Sequence, residues 1–240
     1  MKRKPRTKLH SGVMKLRFLA QNTRYEILHA VGELSRWLVN PGQEHVKAFK
    51  RVLRYLKGTH DYKLIYRRTN RRGENDDYII DDECVGYADA SWAECPDTGL
   101  STTGYVFMMC GAAICAKTLR QRIIATSTAE AELLALNTAG KQGVWLRLLR
   151  EQLGMDNSKP MILMEDNEAA KRIAETGRRS KRTKHFRVRE FWINNKVVDK
   201  TFIIKHCPTT EMLADLMTKP LSKVVFERLR TKIGIVRAPV

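Results

Sequence analysis

Four acidic residues stand out for the company they keep. Asp89 follows Val85 and Tyr87 on one face of Val85 to Ala90, a stretch with the alternation of a strand. Glu132 comes early in a long helical pattern, at the border of the apolar face that Leu133 and Leu136 belong to. Asp166 closes the apolar run Met161-Ile162-Leu163-Met164, which reads as a strand covered on both faces, and open α/β sheets place their ligands at the carboxyl ends of such strands. Asp215 lies between Ala214 and Leu216, where an unpaired charge is costly. Taken singly, each has an ordinary explanation: a turn acceptor for Asp89, a solvated helix acid for Glu132, a helix cap for Asp166, a helix-border charge for Asp215. Taken together, carboxylates from two strands and two helices can hold a pair of divalent ions, one activating water and one stabilising a leaving oxygen. That is the chemistry of phosphodiester hydrolysis.

The elements that must position these acids can be read from periodicity. Thr23 and Glu26 have capping-box spacing, and Ile27, Val31, Leu34 and Leu38 recur at helical intervals, predicting a first helix that Asn40-Pro41-Gly42 ends. A second helix is predicted from Glu44 to Lys57, with Val46, Phe49, Leu53 and Leu56 on one face. Two such helices bury little alone and need a neighbour. Residues 1–67 therefore read as the helical end of a larger domain, and the polar stretch 68–83 as a linker. Beyond it, Val85 to Ala90, Thr102 to Met109 and Ala112 to Lys117 read as strands, the last two joined as a hairpin at Cys110-Gly111. Ser127 with Glu130 opens a long helix running to about Leu153. There follow the strand before Asp166, a helix from Asn167 to Thr176, the basic run Arg178 to Lys184, a helix ending near Val198, a strand from Thr201 to Cys207 and a helix starting at Thr209. This order predicts an α/β fold, a mixed sheet with helices packed on it.

Composition narrows the partners. A chain of 240 residues that is 43% hydrophobic can bury a core, and 44 Lys and Arg against 26 Asp and Glu leave +18, which points to a polyanion, nucleic acid before a membrane surface. The charge is uneven: residues 1–73 and 171–240 are strongly basic and the middle is acidic, as expected if the middle holds cations and the flanks hold phosphates. The longest apolar stretch, Val106 to Ala116, is too short for a membrane span, and no signal-peptide segment follows the basic N-terminus. Five cysteines without metal-ligand spacing read as reduced thiols in an intracellular protein.

Several motifs then carry a specific resemblance. Gly86-Tyr87-Ala88-Asp89-Ala90-Ser91-Trp92-Ala93, Ser101-Thr102-Thr103-Gly104-Tyr105-Val106-Phe107, Ser127-Thr128-Ala129-Glu130-Ala131-Glu132, Glu165-Asp166-Asn167, Arg182-Thr183-Lys184-His185, and Leu213-Ala214-Asp215 through Thr218-Lys219-Pro220-Leu221 follow one another as in the ribonuclease H domain of copia-type retrotransposon Pol polyproteins. Upstream, Phe18-Leu19-Ala20, Leu34-Ser35-Arg36 and Leu53-Arg54-Tyr55-Leu56-Lys57-Gly58-Thr59 resemble the segment after the polymerase catalytic region. The resemblance implies a ribonuclease H-like five-stranded mixed sheet at residues 84–221, preceded by a reverse-transcriptase remnant at 1–67 and followed by a C-terminal helix and tail at 222–240.

By the same resemblance the metal-binding and catalytic acids fall on Asp89, Glu132, Asp166 and Asp215, with two Mg2+ ions as cofactor and Mn2+ as an alternative. Glu130 is the rival for the second place and is better explained as a cap partner. His206 lies near where ribonucleases H often place a histidine that aids proton transfer or product release. An RNA–DNA hybrid is recognised through its shape and backbone, so the substrate-binding candidates are basic: Arg178, Arg179, Lys181, Arg182, Lys184 and Arg187, with Lys117, Arg120 and Arg122 near the hairpin exit. Ser91 and Asn167, next to the acids in the matching motifs, join them. The expected partners are the hybrid and the rest of the reverse transcriptase, in a cytoplasmic element particle or the nucleus. Two alternatives remain, an integrase- or transposase-like strand transferase and a non-catalytic nucleic-acid-binding remnant.

Overall fold

Small residues in the middle strand of the sheet decide how the molecule is layered. The structure, a computed structural model, describes residues 4–67, 71–72, 78–79, 83–95, 97–177 and 192–238. In chain order the elements are α1 (Lys4–Asn22), α2 (Leu28–Arg36), α3 (Gln43–Gly58), β1 (Tyr62–Leu64), β2 (Arg71–Arg72), β3 (Tyr78–Ile79), β4 (Val85–Ser91), β5 (Thr102–Met109), β6 (Ala112–Arg120), α4 (Thr128–Gln152), β7 (Met161–Glu165), α5 (Glu168–Thr176), α6 (Trp192–Val198), β8 (Phe202–His206), α7 (Asp215–Thr218), α8 (Lys223–Lys232) and β9 (Ile235–Arg237). The main sheet has five strands in the order β6-β5-β4-β7-β8. The first three run antiparallel, while β7 joins β4 and β8 joins β7 in parallel. The α/β fold with a mixed five-stranded sheet and packed helices, implied by the ribonuclease H resemblance, is therefore present.

One face of β4 presents Gly86, Ala88 and Ala90, and α4 lies against it with Ala131, Ala135, Ala139 and Gly143 at intervals of four. Small residues on both sides let helix and strand approach closely. At Gly86 the approach is obligatory, since a Cβ would come within 2.6 Å of both Leu163 and Phe107. Phe107, Leu133, Leu136, Leu163 and Phe202 fill this half of the core. The other face is covered by α1, α2, α7 and α8, which bury Val13, Leu28, Val31, Val106, Met217, Leu229 and Ile233 together. The neighbour that the N-terminal helices need is thus the sheet itself. Antiparallel pairing of β1 with β9, Tyr62 opposite Arg237, ties the segment after α3 to the C-terminal segment.

The structure corrects three local expectations. Thr23 and Glu26 form no capping box: Glu26 is buried in a short 3-10 turn, where it accepts a 2.7 Å hydrogen bond from Arg24 Nε, and α2 begins at Leu28. Upstream of it stands α1, not predicted at all, because its buried stripe of Val13, Leu16 and Ala20 is narrow against a basic surface. After Thr209 comes a single 3-10 turn, and the helix proper, α7, starts at Asp215. Within the polar stretch 68–83, β2 and β3 pair with each other. No described helix is long and apolar enough to cross a membrane.

Candidate active site

Parallel pairing of β4 with β7 runs as far as Tyr87 and Met164. Two residues beyond Tyr87, on β4, is Asp89; β7 ends one residue beyond Met164, at Glu165, and Asp166 follows it. Alternation puts Asp89 on the face of Tyr87, away from α4, while Glu165 shares the buried face of Met161 and Leu163 towards α4. From the α4 side comes Glu132. The start of α4 is fixed by Ser127 Oγ, which accepts from Glu130 N at 3.2 Å, and by Glu130, whose Oε2 accepts from Thr126 N at 2.6 Å and Thr126 Oγ1 at 2.7 Å. Glu130 is therefore the cap partner, and Glu132 turns to the strand, where the Ala90 amide donates to it. One oxygen from each of Asp89, Glu132 and Asp166 lies within 4.8 Å of the others.

Asp215 reaches the group from the opposite face. Its helix, α7, rests directly on β5 at Gly104, the residue paired with Asp89, because a Cβ on Gly104 would stand 2.6 Å from both Met217 Cβ and Thr218 Cγ2. Thr218 Oγ1 donates to Asp89 Oδ2, and Thr118 Oγ1 donates to the Met217 carbonyl. Lys219 Nζ is 2.8 Å from Asp215 Oδ1 and 3.7 Å from Asp89 Oδ1.

Burial makes this cluster electrostatically strained. Asp89 is 2% exposed, Glu132 6%, Glu165 0% and Asp215 6%. Desolvation raises the Asp89 carboxyl, against the pull of Lys219 and the Thr218 hydroxyl. Glu132 is pushed up to about 11 by burial first and then by Glu165, Asp89 and Asp166. Glu165 is raised well above the carboxylate range by burial, although the Asn167 amide donates to it at 3.0 Å. Asp215 rises to about 6, from burial and then the Asp89 charge. Lys219 is raised in spite of its own desolvation, because Asp89 and Asp215 favour the ammonium. Glu132 Oε2 and Glu165 Oε2 are buried without a hydrogen-bond partner. An all-oxygen donor set with unpaired buried oxygens fits a hard divalent cation such as Mg2+.

Of the residues singled out from sequence, Asp89, Glu132 and Asp166 converge, and Asp215 joins through Asp89 and Lys219. His206 ends β8 opposite Glu165 in register, but its Nδ1 pairs with Glu168 Oε1 at 3.1 Å. Ser91 ends β4, half-buried, two residues beyond Asp89. Asn167 Oδ1 caps α5, accepting from the Ala169 and Ala170 amides at 3.0 Å each. Arg178, Arg179, Lys181, Arg182, Lys184 and Arg187 lie outside the described residues. Sequence reasoning did not assign Glu165, Thr218 or Lys219. Glu165 could have been found by continuing the alternation of Met161 and Leu163 one step further; Thr218 and Lys219 stood in a matching motif but carry no signal of their own.

No protein-family model matches the chain. It is 35% identical over 225 residues to the retrovirus-related Pol polyprotein from transposon TNT 1-94 of Nicotiana tabacum, covering 94% of this chain and 16% of that protein. To the retrovirus-related Pol polyprotein from transposon RE2 of Arabidopsis thaliana it is 31% identical, covering 98% of this chain and 16% of that protein. A third relative, secreted RxLR effector protein 161 of Plasmopara viticola, is 36% identical over 57% of this chain and 89% of its own length. Among solved structures, LC11-RNase H1 in complex with an RNA/DNA hybrid aligns at 18% identity and a TM-score of 0.43, covering 57% of this chain and 94% of that one. The chain spans about one sixth of the length of the two plant polyproteins. These relationships run through nearly all of its residues, and they make retrovirus-related Pol polyproteins of copia-type transposons homologues of the chain.

Proposed function

We propose that the chain is a ribonuclease H that hydrolyses the RNA strand of RNA–DNA hybrids formed during reverse transcription of its element, in the cytoplasmic particle. The observation that carries this reading is the convergence of Asp89, Glu132 and Asp166 on a space 4.8 Å across, with Asp215 beside them and buried carboxylate oxygens left unpaired. Asp89, Glu132, Asp166 and Asp215 would hold Mg2+, two ions in all, with Mn2+ as an alternative. Bound there, the ions supply Lewis acidity to an attacking water and to the leaving oxygen.

The protein's own groups do the positioning. Thr218 holds Asp89 by a hydrogen bond, and the Thr209 hydroxyl donates to Asp166 Oδ2 at 2.9 Å. Glu165 accepts from the Asn167 amide and so fixes the turn that carries Asp166. Lys219 compensates negative charge at the Asp89 and Asp215 side. His206, which pairs with Glu168, would aid proton transfer or product release. The net charge of +18 favours a polyanionic substrate.

The test is cleavage of an end-labelled RNA–DNA hybrid by the purified chain with Mg2+ or with EDTA, beside Asp166→Asn. Each tenfold in rate is 1.36 kcal/mol, and the several kcal/mol that metal catalysis supplies imply a loss of about a hundredfold or more in the variant. Cleavage that is indifferent to EDTA and to Asp166→Asn would overturn the proposal. Joining of DNA ends without hybrid cleavage would favour a strand transferase instead.

A further inference from the structure

Basic side chains that the acid cluster does not use gather at a second place. A cavity of about 310 Å³ lies where α1 and α2 meet the ends of β5 and β6, and its walls include Arg17, His29, Glu33, Arg36, Thr102 and Arg120. Strand register relates its wall to the acid cluster. Ser91 pairs with Thr102 and Thr102 with Arg120, and residues directly opposite share a face, so Arg120 stands on the same face of the sheet as Ser91 and Asp89. Two strand spacings of about 4.8 Å and two residues of about 3.3 Å put its Cα roughly 12 Å from that of Asp89. Gly32 lets α2 come this close to β6, since a Cβ there would be 2.9 Å from Thr118 Cγ2.

Two ligand classes compete on chemistry. His29, Glu33 and Glu94 place donor atoms within 4.8 Å of one another, as a cation would need. However, Glu33 is ion-paired with Arg36, and Glu94 accepts from His29 at 3.2 Å. Three guanidinium groups line the same space, and Arg120 Nε and Nη2 are buried with no partner in the protein. Unpaired buried guanidinium nitrogens call for an anion, and their planar fork matches phosphate. Arg17, Arg36, Lys117 and Arg120 against the single carboxylate of Glu33 leave the lining net positive, which favours a phosphate over a divalent cation.

We propose that this cavity holds a backbone phosphate of the nucleic acid whose scissile phosphate lies at the acid cluster, an inference that rests on the nuclease reading. With one phosphate per roughly 3.4 Å of helix axis on each strand, an offset of this size makes it a phosphate within a few nucleotides of the scissile one. On this view α1 and α2 are part of the substrate grip, not only cover for the sheet.

The experiment compares the full chain with Arg17→Gln, Arg36→Gln, Arg120→Gln and Arg120→Lys. Hybrid affinity is read by fluorescence anisotropy across salt, with Ca2+ replacing Mg2+; inorganic phosphate is titrated separately against the thermal midpoint. Each lost phosphate contact should make the slope of log K against log salt shallower by just under one, so the deficit of a Gln variant narrows roughly threefold between 50 and 200 mM salt. Arg120→Lys should keep most of the slope, and phosphate should stabilise the wild type but not Arg120→Gln. Unchanged slopes in normally folded variants, or equal protection by phosphate, would overturn the site; Arg17→Gln, on an exposed position of α1, keeps that arm readable if Arg120→Gln does not fold. If the wild type ignores the hybrid while phosphate still distinguishes Arg120→Gln, the nuclease reading falls and the anion site stands.

Discussion

A single methyl group at Gly104 should separate catalysis from folding. The added Cβ of Gly104→Ala would sit 2.6 Å from Met217 Cβ and Thr218 Cγ2 and 3.1 Å from the Ala214 carbonyl oxygen. Carbon atoms rest at about 3.5–4.0 Å, so α7 must retreat by about 1 Å. No rotamer change relieves this, because Met217 Cβ is fixed to the backbone of α7. Overpacking of this kind costs about 1–3 kcal/mol, or about 2–12 °C for a chain of this size. The same retreat pulls Thr218 from Asp89 and carries Asp215 and Lys219 with it. Misplacement by about 1 Å costs about a hundredfold in rate. The assay is kcat/KM on the labelled hybrid with Mg2+, together with the melting midpoint and a Mg2+ titration. Thr218→Ser in the Gly104→Ala background removes one of the two closest contacts and keeps the hydroxyl, so it should restore part of the activity. A Gly104→Ala enzyme with wild-type kcat/KM and Mg2+ affinity would refute the claim that α7 sets the geometry of the acids.

Other outcomes follow from the charge of the cluster. The Asp215 carboxyl loses its proton near 3.8 in the unfolded chain and at about 6 in the fold, so the folded state holds the extra proton between those values. Its contribution is therefore fully present below pH 3.8 and is lost as pH rises through about 6, by about 3 kcal/mol at most. In EDTA, Asp215→Asn should flatten that part of the stability profile between pH 4 and 7; an unchanged profile would mean the carboxyl is not strained. Lys219→Met should lower metal-free stability by about 1–3 kcal/mol, since it leaves Asp89 and Asp215 facing each other uncompensated. Saturating Mg2+ should remove most of that loss, and equal losses with and without Mg2+ would show that the ammonium and the metal do not serve the same charge.

How much of this could be read beforehand depends on whether a signal was local. The hairpin at Cys110-Gly111 was legible because Cys110 at φ 53° and Gly111 at φ 73° make the turn there, with alternating strands on either side. The start of α4 was legible because its cap uses residues three apart, Ser127 and Glu130. Glu26 misled because its real partners, Arg24 and the Tyr55 hydroxyl, form a buried cluster that includes a residue 29 positions away, and capping spacing cannot register such a contact. The four acids were legible as motifs, but what binds them into one site was not. Gly104 against α7, Thr218 against Asp89 and Glu165 behind Asp166 are contacts across the fold, and a single glycine, threonine or glutamate carries no mark of them.

The position of Lys219 bears on how the cluster tolerates its own burial. Carboxylates this close and this desolvated cannot all be ionised without cations, and burial together with the neighbouring acids raises Glu132 and Glu165, which favours their protonated forms. Asp89 and Asp215 meet it differently, through an ammonium that touches both. The two halves of the cluster thus hold different reserves: protons on the α4 side of the sheet, a tethered cation on the α7 side. A divalent ion arriving between Asp89, Glu132 and Asp166 would have to release a proton from Glu132, so its affinity should rise with pH. At the Asp215 side it would compete with Lys219, which is one-third exposed and can move towards solvent on its flexible stem. Since Lys219 directly follows α7, whatever shifts that helix alters both the acid it carries and the cation that screens it.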